Sequence, residues 1–355
     1  MVSFIARRFL GLLVVLFCVI TITFFLVRLA PGGPFSRERK LPPAIEKQLL
    51  ARYKLYGEAG QIIGSRIASN LKLSPETGQR WASFGALLDQ YLSYLSDISG
   101  LQVVQWDPVN QSLQATLRIR SPDLRLSTKY RDRSVNELIA DGLPVSGLLG
   151  FTALVLATSL GVWLGSVAAV RQHTPVDAGA MLSALALISI PTFVTGPILV
   201  LVFALWLDWL PVGGWGSPKS LLLPAITLAG PYIAYIARLM RSSMLEVLGQ
   251  DYIRTARAKG LSQSRTVYKH ALKVAVLPVV SFLGPLAANL LTGSIVVETI
   301  FNVPGIGGYF VNSILNRDVF LLSGVVIVYC TLLVVLNLVV DIAYTFLDRR
   351  IRLYD

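Results

Sequence analysis

Residues 144–170 read PVSGLLGFTALVLATSLGVWLGSVAAV, a run without a single charge. An α-helix rises about 1.5 Å per residue, so a run of this length crosses the ~30 Å hydrocarbon core of a bilayer. Hydrocarbon offers the backbone no hydrogen-bond partner. Only helices or closed barrels survive there, and runs this long are helical. Outward from this stretch lie five more apolar runs of membrane length: Phe9–Leu29, Ala178–Leu210, Leu221–Leu239, Val274–Val297 and Phe320–Phe346. Pro191 and Pro197 fall inside the 178–210 run, and Pro224 and Pro231 inside the 221–239 run. Kinks are expected there, with neighbouring helices covering the freed carbonyls. The expected fold class is an all-α polytopic membrane protein with six transmembrane helices. Arg7 and Arg8 precede the first run as in a signal peptide. Its apolar length exceeds the roughly 7–15 residues of a signal core, so a retained helix is expected.

Composition agrees. Hydrophobic types make up 54% of the 355 residues and charged types 15%, where soluble domains carry about 25% charged. Disorder, which needs low hydrophobicity and high charge, is excluded. Lys and Arg number 32 against 20 Asp and Glu, a balance of +12. The excess follows the positive-inside pattern. Arg171 marks one short loop; Arg238, Arg241, Arg254, Arg257, Lys259, Arg265, Lys269 and Lys273 mark a second; Arg349, Arg350 and Arg352 mark the tail. The alternate loops 211–220 and 298–318 hold only Lys219 and Arg317 as basic residues. Both termini are therefore expected on the cytoplasmic side. The basic balance is a topology signal, and no nucleic-acid partner is expected. Two cysteines, Cys18 and Cys330, and two histidines supply neither a disulfide framework nor a metal centre.

Residues 31–139 form a polar block expected outside the membrane. Pro31-Gly32-Gly33-Pro34 ends the first helix. Leu87, Leu88, Tyr91, Leu92, Tyr94 and Leu95 recur at helical spacing, which predicts an amphipathic helix over 82–97. Two alternating stretches, Leu101–Trp106 and Ser112–Arg120, flank the turn Asp107-Pro108-Val109-Asn110 and predict a β-hairpin. The insert between helices 1 and 2 is thus expected to be mixed α/β. It reads either as a structural cap or as a docking surface for an external partner.

Chemistry is sparse. No G-x-x-x-x-G-K-[ST], H-E-x-x-H or G-x-S-x-G occurs. No catalytic residue or metal site is assigned, and this chain is expected to bind no cofactor itself. Gly161 with Gly165, and Gly284 with Ala288, are spaced for close helix packing. The informative polar stretch is D251-YIRTARAK-G260-LSQSRTVYK-H270-ALKVAVLP. Asp251 suits a helix start, Gly260 a left-handed stop, and Ser262 the start of a second helix. Tyr252, Ile253 and Ala256 share a face. Two short helices with a sharp bend are expected between the fourth and fifth spans. On the residues alone this segment is either a coupling element or an amphipathic helix resting on anionic lipid.

The stretch resembles the cytoplasmic EAA loop of binding-protein-dependent ABC importer permeases, in its oligopeptide/dipeptide branch. Arg254, Ala256 and Gly260 stand where that family has Glu, Ala and Gly, and the Glu is replaced here. Ile5-Ala-Arg-Arg8, Arg28-Leu-Ala-Pro-Gly-Gly-Pro34, Ser134-Val-Asn-Glu-Leu138, Leu210-Pro-Val-Gly-Gly-Trp215, Glu298-Thr-Ile-Phe-Asn-Val-Pro-Gly-Ile-Gly307 and Asn316-Arg-Asp318 are similar to that branch as well. The stretch 57–120 looks longer than the usual first outer loop. The resemblance implies the type I ABC importer permease fold. It also implies a homologous second permease subunit, two ATPase subunits holding ATP and Mg, an extracytoplasmic peptide-binding protein and a peptide substrate, in a bacterial inner membrane. It assigns ATPase coupling to Asp251, Tyr252, Ile253, Arg254, Ala256, Arg257, Gly260 and His270. It assigns an outer gate or receptor-facing role to Glu298, Phe301, Pro304, Gly305 and Gly307. The implied organisation is a first transmembrane helix at 1–30 and an outer segment at 31–139. A permease core follows at 140–347, with its coupling loop at 245–275, and then a tail at 348–355. Permeases for nickel, murein peptides or antimicrobial peptides share these motifs. A stand-alone carrier would need buried carboxylates, and an intramembrane enzyme a nucleophile with a base; the apolar runs show neither.

Overall fold

The computed structural model describes residues 2–29, 52, 58–71, 74–107, 112–292 and 294–347. The turn at 108–111, the 30–51 stretch and the tail lie outside them, as does the Ala288 side chain. In chain order the elements are α1 (Val2–Leu29), α2 (Glu58–Asn70), α3 (Pro75–Ser99), β1 (Leu101–Asp107), β2 (Ser112–Ile119), α4 (Val135–Val170) and α5 (Pro175–Ser189). Then come α6 (Thr192–Trp206), α7 (Pro218–Leu248), α8 (Asp251–Ala258), α9 (Gln263–Ala275), α10 (Leu277–Thr292), α11 (Ile295–Ile300), α12 (Ile306–Leu315) and α13 (Val319–Leu347). The strands pair antiparallel, Leu101 opposite Ile119 and Asp107 opposite Ser112, where the alternation predicts a hairpin. The predicted 82–97 helix is the middle of α3.

Among the described residues, α4, α7 and α13 each hold a continuous apolar window long enough to span a bilayer. The 178–210 run departs from the single kinked span expected of it. It forms α5 and α6, bent by 108° at the Ile190–Pro191 break. Proline disfavours helical backbone at the residue before it, and Ile190 is accordingly extended (φ −90°, ψ 120°). The 274–297 run is also broken: α9 meets α10 at 49°, and α11 follows separately.

The chain divides into two compact units, one built on Ala140–Val311, the other on Val15–Ile139 and Asn312–Ile327. The first centres on α7, which buries Leu223, Leu228, Ile233, Ile236, Met240 and Met244. Gly161 and Gly165 let α4 press against it. A Cβ on Gly161 would lie 2.7 Å from Ile236 Cβ, and one on Gly165 2.7 Å from Met240 Cβ. The small-xxx-small spacing thus has its partner. Within lipid such contacts rely on close van der Waals packing rather than on hydrophobic expulsion. Leu148, Phe151, Val155, Leu160 and Trp163 of α4 point away from this core and are exposed. Such a stripe suits acyl chains or another apolar helix.

In the second unit, Phe24 of α1 is fully buried against Tyr91 and Tyr94 of α3. Arg125 is 4% exposed. It donates through Nε to Asp97 (2.9 Å) and through Nη2 to Ser93 (3.0 Å), with its guanidinium over the Tyr94 and Phe320 rings. Ser134 and Glu137 form a reciprocal capping box that starts α4. Asn136 holds the preceding chain, accepting from Leu124 N and donating to Pro122 O. Asp318 accepts from Ser127 Oγ and from the N–H groups of Thr128 and Leu321, and so opens α13.

Candidate coupling segment and the Glu298 knuckle

The segment after α7 begins at Gln250, whose extended backbone (ψ 150°) precedes the first turn of α8. Asp251 is the first helical residue rather than the cap. It still places a carboxylate at the positive end of the helix dipole. Gly260 (φ +83°) stops the helix. Gly260 N donates to Arg257 O (2.9 Å) and Leu261 N to Ala256 O (3.3 Å), the paired bonds of a Schellman ending. Ser262 precedes α9, as its residue type suggests, and contributes its carbonyl to Thr266 N (2.9 Å). Within α9, Thr266–Ala271 is a π-helical turn, a local widening that recurs at functional sites.

The expected face of Tyr252, Ile253 and Ala256 divides. Ile253 is fully buried and Ala256 is 8% exposed, both turned inward, while Tyr252 is 44% exposed. Ile253 joins the cluster of Met240, Met244, Val267, Ala271 and Ala275. Arg254 and Arg257 lie on the open side, and His270 is half-buried. Arg254 Nη1 sits 3.6 Å from Asp251 Oδ1, both side chains largely in solvent. That pair contributes little to stability. Ile253 and Ala256 anchor the helix, and the exposed residues are the ones offered outward.

A charged clamp escaped the sequence reading. Arg241 near the end of α7 donates through Nε and Nη2 to both carboxylate oxygens of Asp177 in the first turn of α5, at 2.6 and 2.7 Å. Asp177 Oδ2 also accepts from His173 N (3.1 Å). The available signal was an acid and a base at the ends of neighbouring apolar runs; counting Arg241 only toward orientation hid it.

At the other end of this unit, Glu298 is 1% exposed. Its Oε1 accepts from Ser146 Oγ (2.7 Å) and Ser294 Oγ, and its Oε2 accepts from Gly307 N (2.8 Å). Ser146 Oγ in turn accepts from Ile306 N (2.9 Å). A Cβ on Gly305 would run into the Glu298 carboxyl, and one on Gly307 would lie 2.7 Å from Oε2. Phe301 is buried, and its carbonyl accepts from Gly214 N (2.8 Å), docking the Leu210–Trp215 loop. Of the five residues expected to face a receptor, Glu298, Phe301, Gly305 and Gly307 are inside and Pro304 is exposed. The motif folds around its own carboxylate because a buried carboxylate requires donors on both oxygens. Among the described residues no group of three or more His, Cys, Asp and Glu gathers as metal ligands.

A helical core with exposed apolar faces fits a membrane protein. The chain belongs to the family described as binding-protein-dependent transport system inner membrane component, matched over residues 161–353. It is a multi-pass inner-membrane permease chain of the type I ABC importer fold. It is 40% identical to the oligopeptide transport system permease protein OppB of Haemophilus influenzae and 41% to that of Escherichia coli K12, each over 99% of this chain and 100% of the relative. The dipeptide transport system permease protein DppB of Bacillus subtilis is 38% identical over 100% of this chain and 99% of its own. Among solved structures, a chain of the methionine ABC transporter MetNI in inward-facing conformations superposes with a TM-score of 0.52 at 16% identity. That match covers 60% of this chain and 98% of that one, a likeness of fold.

Proposed function

We propose that this chain is the transmembrane subunit of an ATP-driven oligopeptide or dipeptide importer. It forms half of a translocation path with a homologous second permease subunit. An extracytoplasmic binding protein delivers peptide, and two separate ATPase subunits hold ATP and Mg. The termini and the α8 segment face the cytoplasm. The full-length likeness to peptide permeases supports the substrate class. The observation that carries the coupling role is the division of α8. Ile253 ties it to α7 and α9, while Tyr252, Arg254, Arg257 and Lys259 stand outward. A partner that moves the outward face drags α7 through the buried one. The Glu298 knuckle ties α11, α12 and the head of α4 into one outer piece, which serves as the gate that opens and closes as a unit.

The test is affinity purification in mild detergent, followed by disulfide trapping from Cys introduced at Tyr252. A second six-helix permease and ATPase subunits are expected in the eluate. Trapping is expected to join position 252 to an ATPase chain. Recovery of a fully active transporter from this polypeptide alone would overturn the proposal.

A further inference from the structure

A cavity of about 640 Å³ opens between α4 and α9, within the first unit. Its wall is mostly apolar, with Val162, Val170 and Leu272 among its lining residues. Set into that wall are Arg171, Ser166, Gln263 and Ser264. Arg171 is exposed; its carbonyl accepts from Thr174 Oγ1 (2.6 Å), while its guanidinium makes no ion pair or hydrogen bond among the described residues. Trp163 and Tyr268 also line the cavity and are 60% and 68% exposed. Exposed Trp and Tyr at the end of a span mark the bilayer interface.

We infer that this cavity holds an anionic phospholipid, its phosphate against Arg171 with Gln263 and Ser264 as further donors, and its acyl chains along Trp163, Val162 and Leu272. The occupant is chosen by charge and shape. An unpaired guanidinium wants a phosphate, which it can hold through two parallel bonds. Lys269 and Lys273, exposed on the same helix, add positive potential. The apolar wall below the arginine gives acyl chains a track that a free phosphate would not use. Basic pockets between transmembrane helices at the cytoplasmic side are where such headgroups bind. A bound lipid would brace α9, the limb by which the α8 segment returns to the membrane. The site rests on the proposed orientation, with this end of the chain at the cytoplasmic face of a bilayer, and on neither its substrate nor its ATPase.

The full chain is purified in detergent with whatever subunits accompany it and exposed to a photoactivatable phosphatidylglycerol. Labelling is expected on the peptides 159–171 and 263–272. It should fall about tenfold in Arg171→Gln, the loss expected when one charge-assisted pair is removed, and stay unchanged in Arg238→Gln, outside the cavity. Gln263→Ala changes an exposed lining residue, so it should fold as well as the parent yet label more weakly. Excess unlabelled phosphatidylglycerol should compete, and inorganic phosphate should not. Equal labelling by a phosphatidylcholine probe overturns the inference. So does competition by inorganic phosphate, or cross-linking of these peptides to a second polypeptide seated in the cavity.

Discussion

At residue scale, Gly307 and Gly308 at the start of α12 separate cleanly. A Cβ on Gly307 would meet Ile295 Cα at 2.6 Å and Glu298 Oε2 at 2.7 Å, whereas one on Gly308 would meet nothing within 4 Å. Gly307→Ala should therefore destabilise by about 1–3 kcal/mol, the usual cost of overpacking. Gly308→Ala, inside α12, should be neutral or stabilising by up to about 1 kcal/mol. Thermal unfolding of the two purified variants reads the difference directly. Gly260 is a separate case, because its surroundings are open and only its backbone is constrained. Gly260→Leu forces a β-carbon into left-handed space at about 1–2 kcal/mol. Peptide uptake should be abolished while the variant still reaches the membrane. Gly260→Asn, which tolerates that conformation better, should retain more uptake. Normal uptake by the leucine variant would remove the bend from the mechanism.

At the scale of elements, the Asp177–Arg241 clamp and α8 make opposite predictions. Asp177 is 8% exposed at its side chain and Arg241 26%. Removing one partner leaves the other poorly solvated, so Asp177→Ala or Arg241→Ala should each cost about 1–3 kcal/mol. The double variant should cost less than their sum. Arg241→Lys should rescue only part, since an ammonium cannot reproduce the two-pronged bond. A double-mutant cycle on unfolding temperature measures this, and strict additivity would argue against the clamp. In α8, Ile253→Ala should lower stability by about 2–5 kcal/mol through a core cavity. Tyr252→Ala should change stability by no more than about 0.5 kcal/mol yet depress peptide-stimulated ATP hydrolysis. A Tyr252→Ala transporter with undiminished ATP hydrolysis would show that the outward face is not the coupling surface.

At the scale of the whole molecule, the proposed function places the energy source in separate ATPase subunits. The sequence carries no phosphate-binding loop. Reconstituted by itself in vesicles, the chain should neither hydrolyse ATP nor accumulate peptide. Adding the companion subunits should restore both, as measured by phosphate release and labelled-peptide uptake. Much of this architecture was legible beforehand because a bilayer enforces long apolar runs whatever the tertiary details. The hairpin and the Gly260 stop were legible for a similar reason: period-two alternation and a left-handed glycine are local signals.

Other features were decided only by packing. That Ile253 points inward could not be read from the face it shares with Tyr252, because a helical face has no direction until a core lies beside it. Asp177 and Arg241 stand 64 positions apart, and no periodicity links them. Glu298 looked like an outer-surface acid until Ser146, 152 positions away, and the Gly307 amide closed over it. By itself the sequence determined that the chain is built of long apolar helices and where the short bent helices fall, since each is the response of a local stretch to its solvent. The tertiary structure alone decided which side chains pair and which face turns inward, since those depend on partners that only folding brings within a few ångströms.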